Sequence, residues 1–554
     1  MKKKFIPLAF LPVVFLLVAC EVQVVDKSLL IIEQPTKTSY NVGDKISLDG
    51  MKVQESDTKE FTLDYEVVLP SELEGFKATL AGDFEIFITQ ESYKQAVINI
   101  KVLGNIDDSP TDKSVSIYSI NDTHGAFTRD SEQGFAGMAY IGEYLKEKST
   151  DNVIISCGDM FQGGIESNKT RGNIMVEAMN IAGFDAMVLG NHEFDWGEEK
   201  IIANKKLMNF PLLSCNTFKA TGYNQLVDFV APSTIVEKSE VKFGIIGSAQ
   251  QGLGTSILKS VADNYYWPEP NDFIKTQSDL LRSQGCDVVV LASHDEGYDS
   301  KTQSEPTKFN DLTQISPVSK KTYVDAMFFA HDHWIKYGTY NSIPFAEGGC
   351  NGKNIARIDF NFKKEGNDYV FQSALAQTAS INAYSTCTVE NTDISNLLTK
   401  YSTVIGDPDK IIYKFTQSYS KEEVLTIVCE SLLWFMNKNV SNFGGQEMSI
   451  AFHNLGGIRN TISAGDFTAR DLFSVCPFEN ALTVWKMTSS EVNRQKKYNG
   501  YSGSEVSVGG YYYAATISYV AESYAKTGMY TEYVGYTPQD CLTEYLGYVG
   551  VNHF

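Results

Sequence analysis

Five apolar, strand-like runs in the middle of this 554-residue chain each end directly in residues of the kinds that bind metals. Residues 115–120 lead into Asn121-Asp122-Thr123-His124-Gly125, and 153–156 into Cys157-Gly158-Asp159. Residues 186–189 lead into Gly190-Asn191-His192-Glu193-Phe194-Asp195, 288–292 into Ser293-His294, and 327–330 into His331-Asp332-His333. Patterns with helical spacing lie between them, at 138–148, 174–182 and 273–282. That alternation predicts an α/β sheet covered by helices. In such sheets the carboxyl ends of the strands open onto the binding crevice, so five polar strand ends converge on one site. Of the seven histidines, only His453 and His553 fall outside these motifs. A lone Asp-x-His or Gly-Asp is usually a solvated loop or a turn, but five in succession are not explained that way. His331 and His333 also stand two apart, so both can reach the same site.

The charge balance narrows the partners. The 47 Lys+Arg against 68 Asp+Glu leave a net charge of −21, which argues against binding a nucleic-acid polymer, because a phosphate backbone needs a basic face. Small anionic substrates stay open, since a bound metal can outweigh the overall field. With 43% hydrophobic and 21% charged residues the chain is globular, and its length suits about three or four domains.

The N-terminus has the form of an export signal. Lys2, Lys3 and Lys4 precede an apolar run at 5–18 that is short for a membrane span. It ends in Leu17-Val18-Ala19-Cys20, which resembles a bacterial lipobox. The expectation is therefore a signal peptide at 1–19, lipidation at Cys20, a tether at 20–26, and a mature protein on the bacterial membrane facing away from the cytoplasm. Residues 27–104 read as a small all-β sandwich. Its opening Pro35-Thr36-Lys37-Thr38-Ser39-Tyr40-Asn41-Val42-Gly43-Asp44 resembles bacterial immunoglobulin-like domains. A linker at 105–113 precedes the α/β region at 114–362, a connecting segment at 363–419 and a third, mixed region at 420–554. The eight remaining cysteines are scattered without a C-x-x-C pair and read as buried free thiols.

The order of the strand-end motifs resembles the calcineurin-like metallophosphoesterases. Gly190-Asn191-His192-Glu193-Phe194-Asp195 is similar to the 5'-nucleotidase and 2',3'-cyclic-nucleotide phosphodiesterase family among them. The resemblance implies a β-sandwich flanked by helices and two divalent ions, of Zn, Mn, Co or Mg, that clamp a phosphate and activate water. It implies that Asp122, His124, Asp159 and His333 hold one ion. Asp159, Asn191, His294 and His331 would hold the other. His192, oriented by Asp195, would stabilise charge on the substrate.

The resemblance continues into an α+β substrate domain. His453-Asn454-Leu455-Gly456-Gly457-Ile458-Arg459 and Pro477-Phe478-Glu479-Asn480 resemble that family's C-terminal motifs. They imply that Arg459 grips phosphate, that Phe478 and Asn480 meet the base, and that Tyr519 is a second stacking aromatic borne on a strand. The 492–511 stretch is shorter than its counterpart, residues 521–530 lack a Gly-Gly-Asp-Gly-Tyr-like segment, and no arginine lies between Arg357 and Arg459. Lys410 or Lys414 is the alternative cation there. The expected function is a surface-anchored dimetal phosphoesterase acting on nucleotides. The alternatives are hydrolysis of another phosphate ester or a nucleotide-sugar, and an inert adhesin-like lipoprotein. The lipobox makes one expectation directly testable: Cys20→Ser leaves an unprocessed precursor or a soluble protein. Mature, membrane-bound protein without an acyl label would contradict it.

Overall fold

The computed structural model describes residues 28–41, 45–56, 61–62, 66–68, 82–89, 96–103, 113–221, 225–298, 305–366, 368–504, 510–526 and 528–552. The expected signal, tether and lipidated Cys20 lie outside the described residues. Among the described residues no helix is long and apolar enough to cross a membrane. The chain divides into two units, Met1–Asp108 and Ser109–Phe554.

In the first unit the described strands form two sheets. Leu29–Glu33, Lys52–Glu55 and Phe61–Thr62 make one. Ser39–Asn41, Ala96–Leu103, Gly82–Thr89 and Glu66–Val68 make the other, in that order. Alternate residues Ile86, Ile88, Ile98 and Ile100 of the second sheet share a core with Leu29 and Val53 of the first. Period-two burial shared between two sheets is the pattern of a β-sandwich. Residues 46–48 are not in a strand, although Ile46 is buried in that core.

The second unit opens with two six-stranded sheets packed face to face. One runs Leu212–Leu213, Ala186–Val188, Val153–Ser156, Lys113–Ile120, Asn354–Glu365, Asp368–Asn382. The other runs Ser233–Lys238, Val241–Ala249, Val288–His294, Ala326–Phe328, Ile343–Gly348, Ile335–Tyr340. In the first sheet Leu212–Leu213 through Lys113–Ile120 are parallel and Asn354–Glu365 and Asp368–Asn382 join antiparallel; in the second the four central strands are parallel and both edges antiparallel. Alternation explains why these strands are apolar on both faces. Val115, Ile117, Val153 and Ile155 meet Phe243, Ile245, Val288 and Val290 between the sheets. Tyr118, Ile154 and Met187 point outward against helices Met138–Lys148 and Asn173–Ala182. Ile246, Val289 and Leu291 do the same against Asn271–Ser283. All three helices fall where the sequence spacing puts them.

Residues 363–419, expected only to connect, are largely built into the fold. Asp368–Asn382 is the edge strand of the first sheet, paired along Asn354–Glu365. Helix Thr392–Ile405 buries Ile394, Leu397 and Ile405 in the outer helical core. The third region is α+β. Its five-stranded sheet runs Gly500–Gly503, Ile450–His453, Tyr511–Ile517, Leu482–Thr488, Tyr530–Tyr533. Helix Lys421–Lys438, started by a Ser420/Glu423 capping box, packs on one face with helix Pro538–Asn552. Trp485, Phe452 and Ile517 fill the other face. All eight described cysteines are free, and seven are buried.

Candidate active site

The strand ends of the two sheets meet along one edge, and short polar contacts lock them together. His331 N donates to Asp122 Oδ2 at 3.0 Å, Asn351 N to Asp122 O at 2.8 Å, and His294 Nδ1 to Cys157 O at 2.7 Å. This brings all seven expected metal-type residues into one cluster. Asp122, His124 and His333 present ligand atoms mutually within 4.8 Å, and so do Asp159, His294 and His331. Asn191 joins the second group through Oδ1, 3.0 Å from His294 Nε2. Asp159 faces both groups. It also forms a triad with His124 and His192, and its Oδ2 lies 3.3 Å from His294 Nε2.

The backbone is bent to make this possible. Twelve described non-glycine residues have positive φ, and Asp122, His124, Asp159, His331 and His333 are five of them. Each such conformation costs about 1–3 kcal/mol and persists only where its surroundings dictate it. The surroundings here are specific. Glu193 is buried, and its carboxylate accepts from the backbone nitrogens of Asp159 (3.0 Å), Met160 (2.9 Å) and Gly190 (2.8 Å). It thereby pins the Asp159 turn against the Asn191 turn. A Cβ on Gly190 would sit 2.3 Å from Asp159 Oδ1, so only glycine allows that approach. Asn121 Nδ2 holds Asp122 Oδ2 at 2.7 Å and the Gly349 carbonyl at 2.8 Å. The sequence displays Asn121 and Glu193 inside the motifs, but only the fold reveals these positioning roles.

The electrostatics suit cations. Asp122 Oδ1 is buried without a hydrogen-bond partner, 3.6 Å from His333 Nε2 and 4.0 Å from His124 Nε2. Those two ring nitrogens are only 2.9 Å apart. Burial lifts the Asp122 carboxyl to about 7. Burial and neighbouring positive charge push His331 down to about 3 and His333 to about 4, and His124 well below its usual value. These are neutral imidazoles with lone pairs available, the form that binds metal. Burial opposes a charge on His294, but Asp159 and Asp122 raise it to about 10. Its Nδ1–H is committed to Cys157 O, which turns Nε2 toward the carboxylate as in metal-binding histidines. Two triads linked by Asp159, which also lies within reach of His124, fit a pair of divalent ions, with imidazole favouring a transition metal.

His192, within reach of His124 and Asp159, also faces the third region. Its Nδ1 lies 2.7 Å from Asp195 Oδ2 and its Nε2 lies 3.2 Å from Arg459 Nη2. Arg459 comes from the third region, so the two domains meet over the metal cluster. Phe478 lies 5.4 Å from the His192 ring, with the Arg459 guanidinium 5.0 Å from its centroid. Further contacts close the junction: Asn168 Nδ2 to Pro477 O at 2.8 Å, ion pairs Arg171–Glu479 and Arg470–Glu166, and Ser260 N to Glu522 at 2.6 Å. A cavity of about 570 Å³ lies at this junction. Asp159, Asn191, His192, Asp195, His331 and His333 line it from one side, and Arg459, Phe478, Asn480 and Tyr519 from the other. That volume suits a small ligand.

Two expectations need correction. Tyr519 is not on a strand but in the first turn of helix Ser518–Tyr524, with its hydroxyl 3.5 Å from Thr255 O. Lys414 does not substitute for a cavity arginine, because it lies on an exposed strand paired with Asp466 at 3.5 Å. Neither Lys414 nor Lys410 is among the cavity-lining residues. The segment carrying Thr255, Ser256, Ile257, Leu258 and Ser260, which includes the short helices Leu253–Ser256 and Lys259–Ala262, forms a further wall. Its plain composition gives no sign of this.

Comparison with known proteins agrees with this architecture. Residues 115–334 match the model of the calcineurin-like phosphoesterase family, and 378–540 that of the 5'-nucleotidase C-terminal domain. Residues 115–334 thus form a calcineurin-like phosphoesterase domain. The chain has the two-domain form in which that fold is followed by a 5'-nucleotidase C-terminal domain. It is 21% identical over 445 residues to the trifunctional nucleotide phosphoesterase protein YfkN of Bacillus subtilis (strain 168), covering 71% of this chain and 29% of that one. It is 24% identical over 463 residues to protein UshA of Yersinia enterocolitica, covering 74% and 80%. The chain thus spans under a third of the Bacillus relative's length. Its fold is similar to that of a 5'-nucleotidase precursor from Thermus thermophilus, with a TM-score of 0.62 and 17% identity, covering 79% of this chain and 97% of that chain.

Because Asp159 has ligand atoms within 4.8 Å of His124 on one side and of His294 and His331 on the other, Asp159→Asn is expected to lower bound metal from about two ions per chain to one or none. Elemental analysis of purified protein measures this. Full occupancy in the variant would remove Asp159 from the bridging position.

Proposed function

We propose that this protein is a surface-anchored, dimetal phosphoesterase that hydrolyses nucleotides, acting as a 5'-nucleotidase and on 2',3'-cyclic phosphates. The observation that carries the reading is the cavity that the metal-type cluster shares with Arg459, Phe478, Asn480 and Tyr519. A phosphate end and a ring-binding end in one space fit a nucleotide. Relatives named as nucleotide phosphoesterase and 5'-nucleotidase support the same substrate class. Anchoring rests on the lipobox at Cys20 alone.

In this reading Asp122, His124 and His333 hold one divalent ion, Asn191, His294 and His331 the other, and Asp159 both. Bound there, the ions would supply Lewis-acid polarisation of the phosphoryl oxygens and lower the pKa of water, so that hydroxide is available as the nucleophile near neutral pH. The protein's own groups do the rest. Arg459 offers a planar, permanently charged fork to the phosphoryl oxygens. His192 gives Nδ1–H to Asp195 and turns Nε2 to the cavity. Asp195 and Asp159 raise its basicity against the effect of burial, so that Nε2–H can be donated to an oxygen gaining negative charge. Phe478 and Tyr519 present ring surface to the base, and Asn480 an amide.

Phosphate release across a panel of 5'-nucleotides, 2',3'-cyclic nucleotides and p-nitrophenyl phosphate, with and without added Mn²⁺, Co²⁺ or Zn²⁺, tests this. Metal-dependent release is expected, fastest with nucleotides. Stacking contributes roughly 1–3 kcal/mol per base, so Phe478→Ala should raise KM for nucleotides about 5- to 150-fold, with a smaller change in kcat. Unchanged nucleotide kinetics in that variant would point to a different ester.

A further inference from the structure

Gln162 has a side chain with an unmet need. It is 2% exposed, it lines the junction cavity, and its Nε2 is buried without a hydrogen-bond partner. Buried amide donors are almost always satisfied, so one left open beside a binding cavity signals an acceptor that arrives with the ligand.

The position of Gln162 is tightly determined. Its backbone carbonyl lies 3.3 Å from His124 Nδ1, which ties it to the first metal-type triad. The next residue, Gly163, has φ +146, and a Cβ there would fall 2.1 Å from His124 O. The loop is therefore pressed onto the His124 turn as closely as backbone allows. Asn168 holds the other side. Its Oδ1 accepts from Gly163 N at 2.8 Å and its Nδ2 donates to Pro477 O, the residue before Phe478. One loop thus joins the metal cluster, the substrate segment and the Gln162 amide.

We propose that Gln162 is a substrate-contacting residue whose side-chain amide donates a hydrogen bond to a phosphoryl oxygen of the bound ester. This rests on the phosphoesterase reading above and deepens it. The acceptor is assigned by its neighbours. Asp159, His192, His333 and Arg459 line the same cavity, and an anion placed among metal ions, imidazole and guanidinium carries its negative charge on the phosphoryl oxygens. A neutral donor completes the coordination of such an oxygen without adding charge. A hydrogen bond to a charged acceptor is among the stronger kind.

The test uses the full-length, metal-loaded protein and the variants Gln162→Met and Gln162→Glu. The first keeps length and volume but removes the donor. The second keeps shape and can place a negative charge where a donor stood. Gln162→Met is expected to lose about 10- to 100-fold in kcat/KM for p-nitrophenyl phosphate and nucleotides alike. It should weaken inhibition by inorganic phosphate by a similar factor, with metal content and melting temperature unchanged. Gln162→Glu is expected to lose more than Gln162→Met on both measures. Wild-type kinetics and phosphate inhibition in Gln162→Met would overturn the proposal. So would a loss that tracks falling metal content, which would make Gln162 a support for His124. A wild-type protein that neither hydrolyses phosphate esters nor binds inorganic phosphate would overturn the underlying reading instead, before any variant is compared.

Discussion

The structure depends on a buried carboxylate that most folds could not tolerate. Asp159 is 1% exposed, and its ion-pair partner among the described residues is His294. Burial opposes its charge, yet the positive fields of His294 and His192 hold its carboxyl well below the usual range. The imidazoles crowd in turn, with His124 and His333 at 2.9 Å. Ring nitrogens and carboxylate oxygens gather this closely when cations are meant to lie between them. Much of the surrounding backbone serves that arrangement: positive φ at five of the cluster residues, Glu193 clasping two turns, and Gly190 giving way to Asp159.

The β-sandwich supplies rigidity at the level this chemistry needs. The polar turns hang from strands buried on both faces, so the cluster is anchored by two apolar layers at once. Among the described residues the third region adds no metal-type group to the cluster. It contributes Arg459 and the ring-bearing wall, and it is fastened by Asn168, Arg171, Glu166 and Ser260. In the proposed reading the half bearing the metal-type cluster is common to many esters, while the apposed half sets which one fits.

Strand ends were legible in the sequence because an apolar run with both faces buried must stop abruptly where it meets a polar site. Asp122, Asp159, Asn191, His294, His331 and His333 stand at those stops. The helices at 138–148, 174–182 and 273–282 were legible for the same reason, their apolar period matching one buried face. What escaped had no local signature. Asp368–Asn382 is an edge strand fixed by its partner Asn354–Glu365, a non-local pairing that composition does not announce. The 255–260 wall is defined only by what the third region brings against it. Gln162 is one glutamine among many until the fold buries its amide without a partner. Tyr519 lines the cavity as expected but on a different kind of element, because the 511–517 strand turns into a helix one residue before it.

The central claim is that Asp159 sits between two bound cations. Anomalous X-ray scattering from crystals soaked in Mn²⁺ or Zn²⁺ tests it most directly. The account predicts two peaks flanking the Asp159 carboxylate, one beside Asp122, His124 and His333 and the other beside Asn191, His294 and His331. A single peak, or two peaks of which neither touches Asp159, would contradict it.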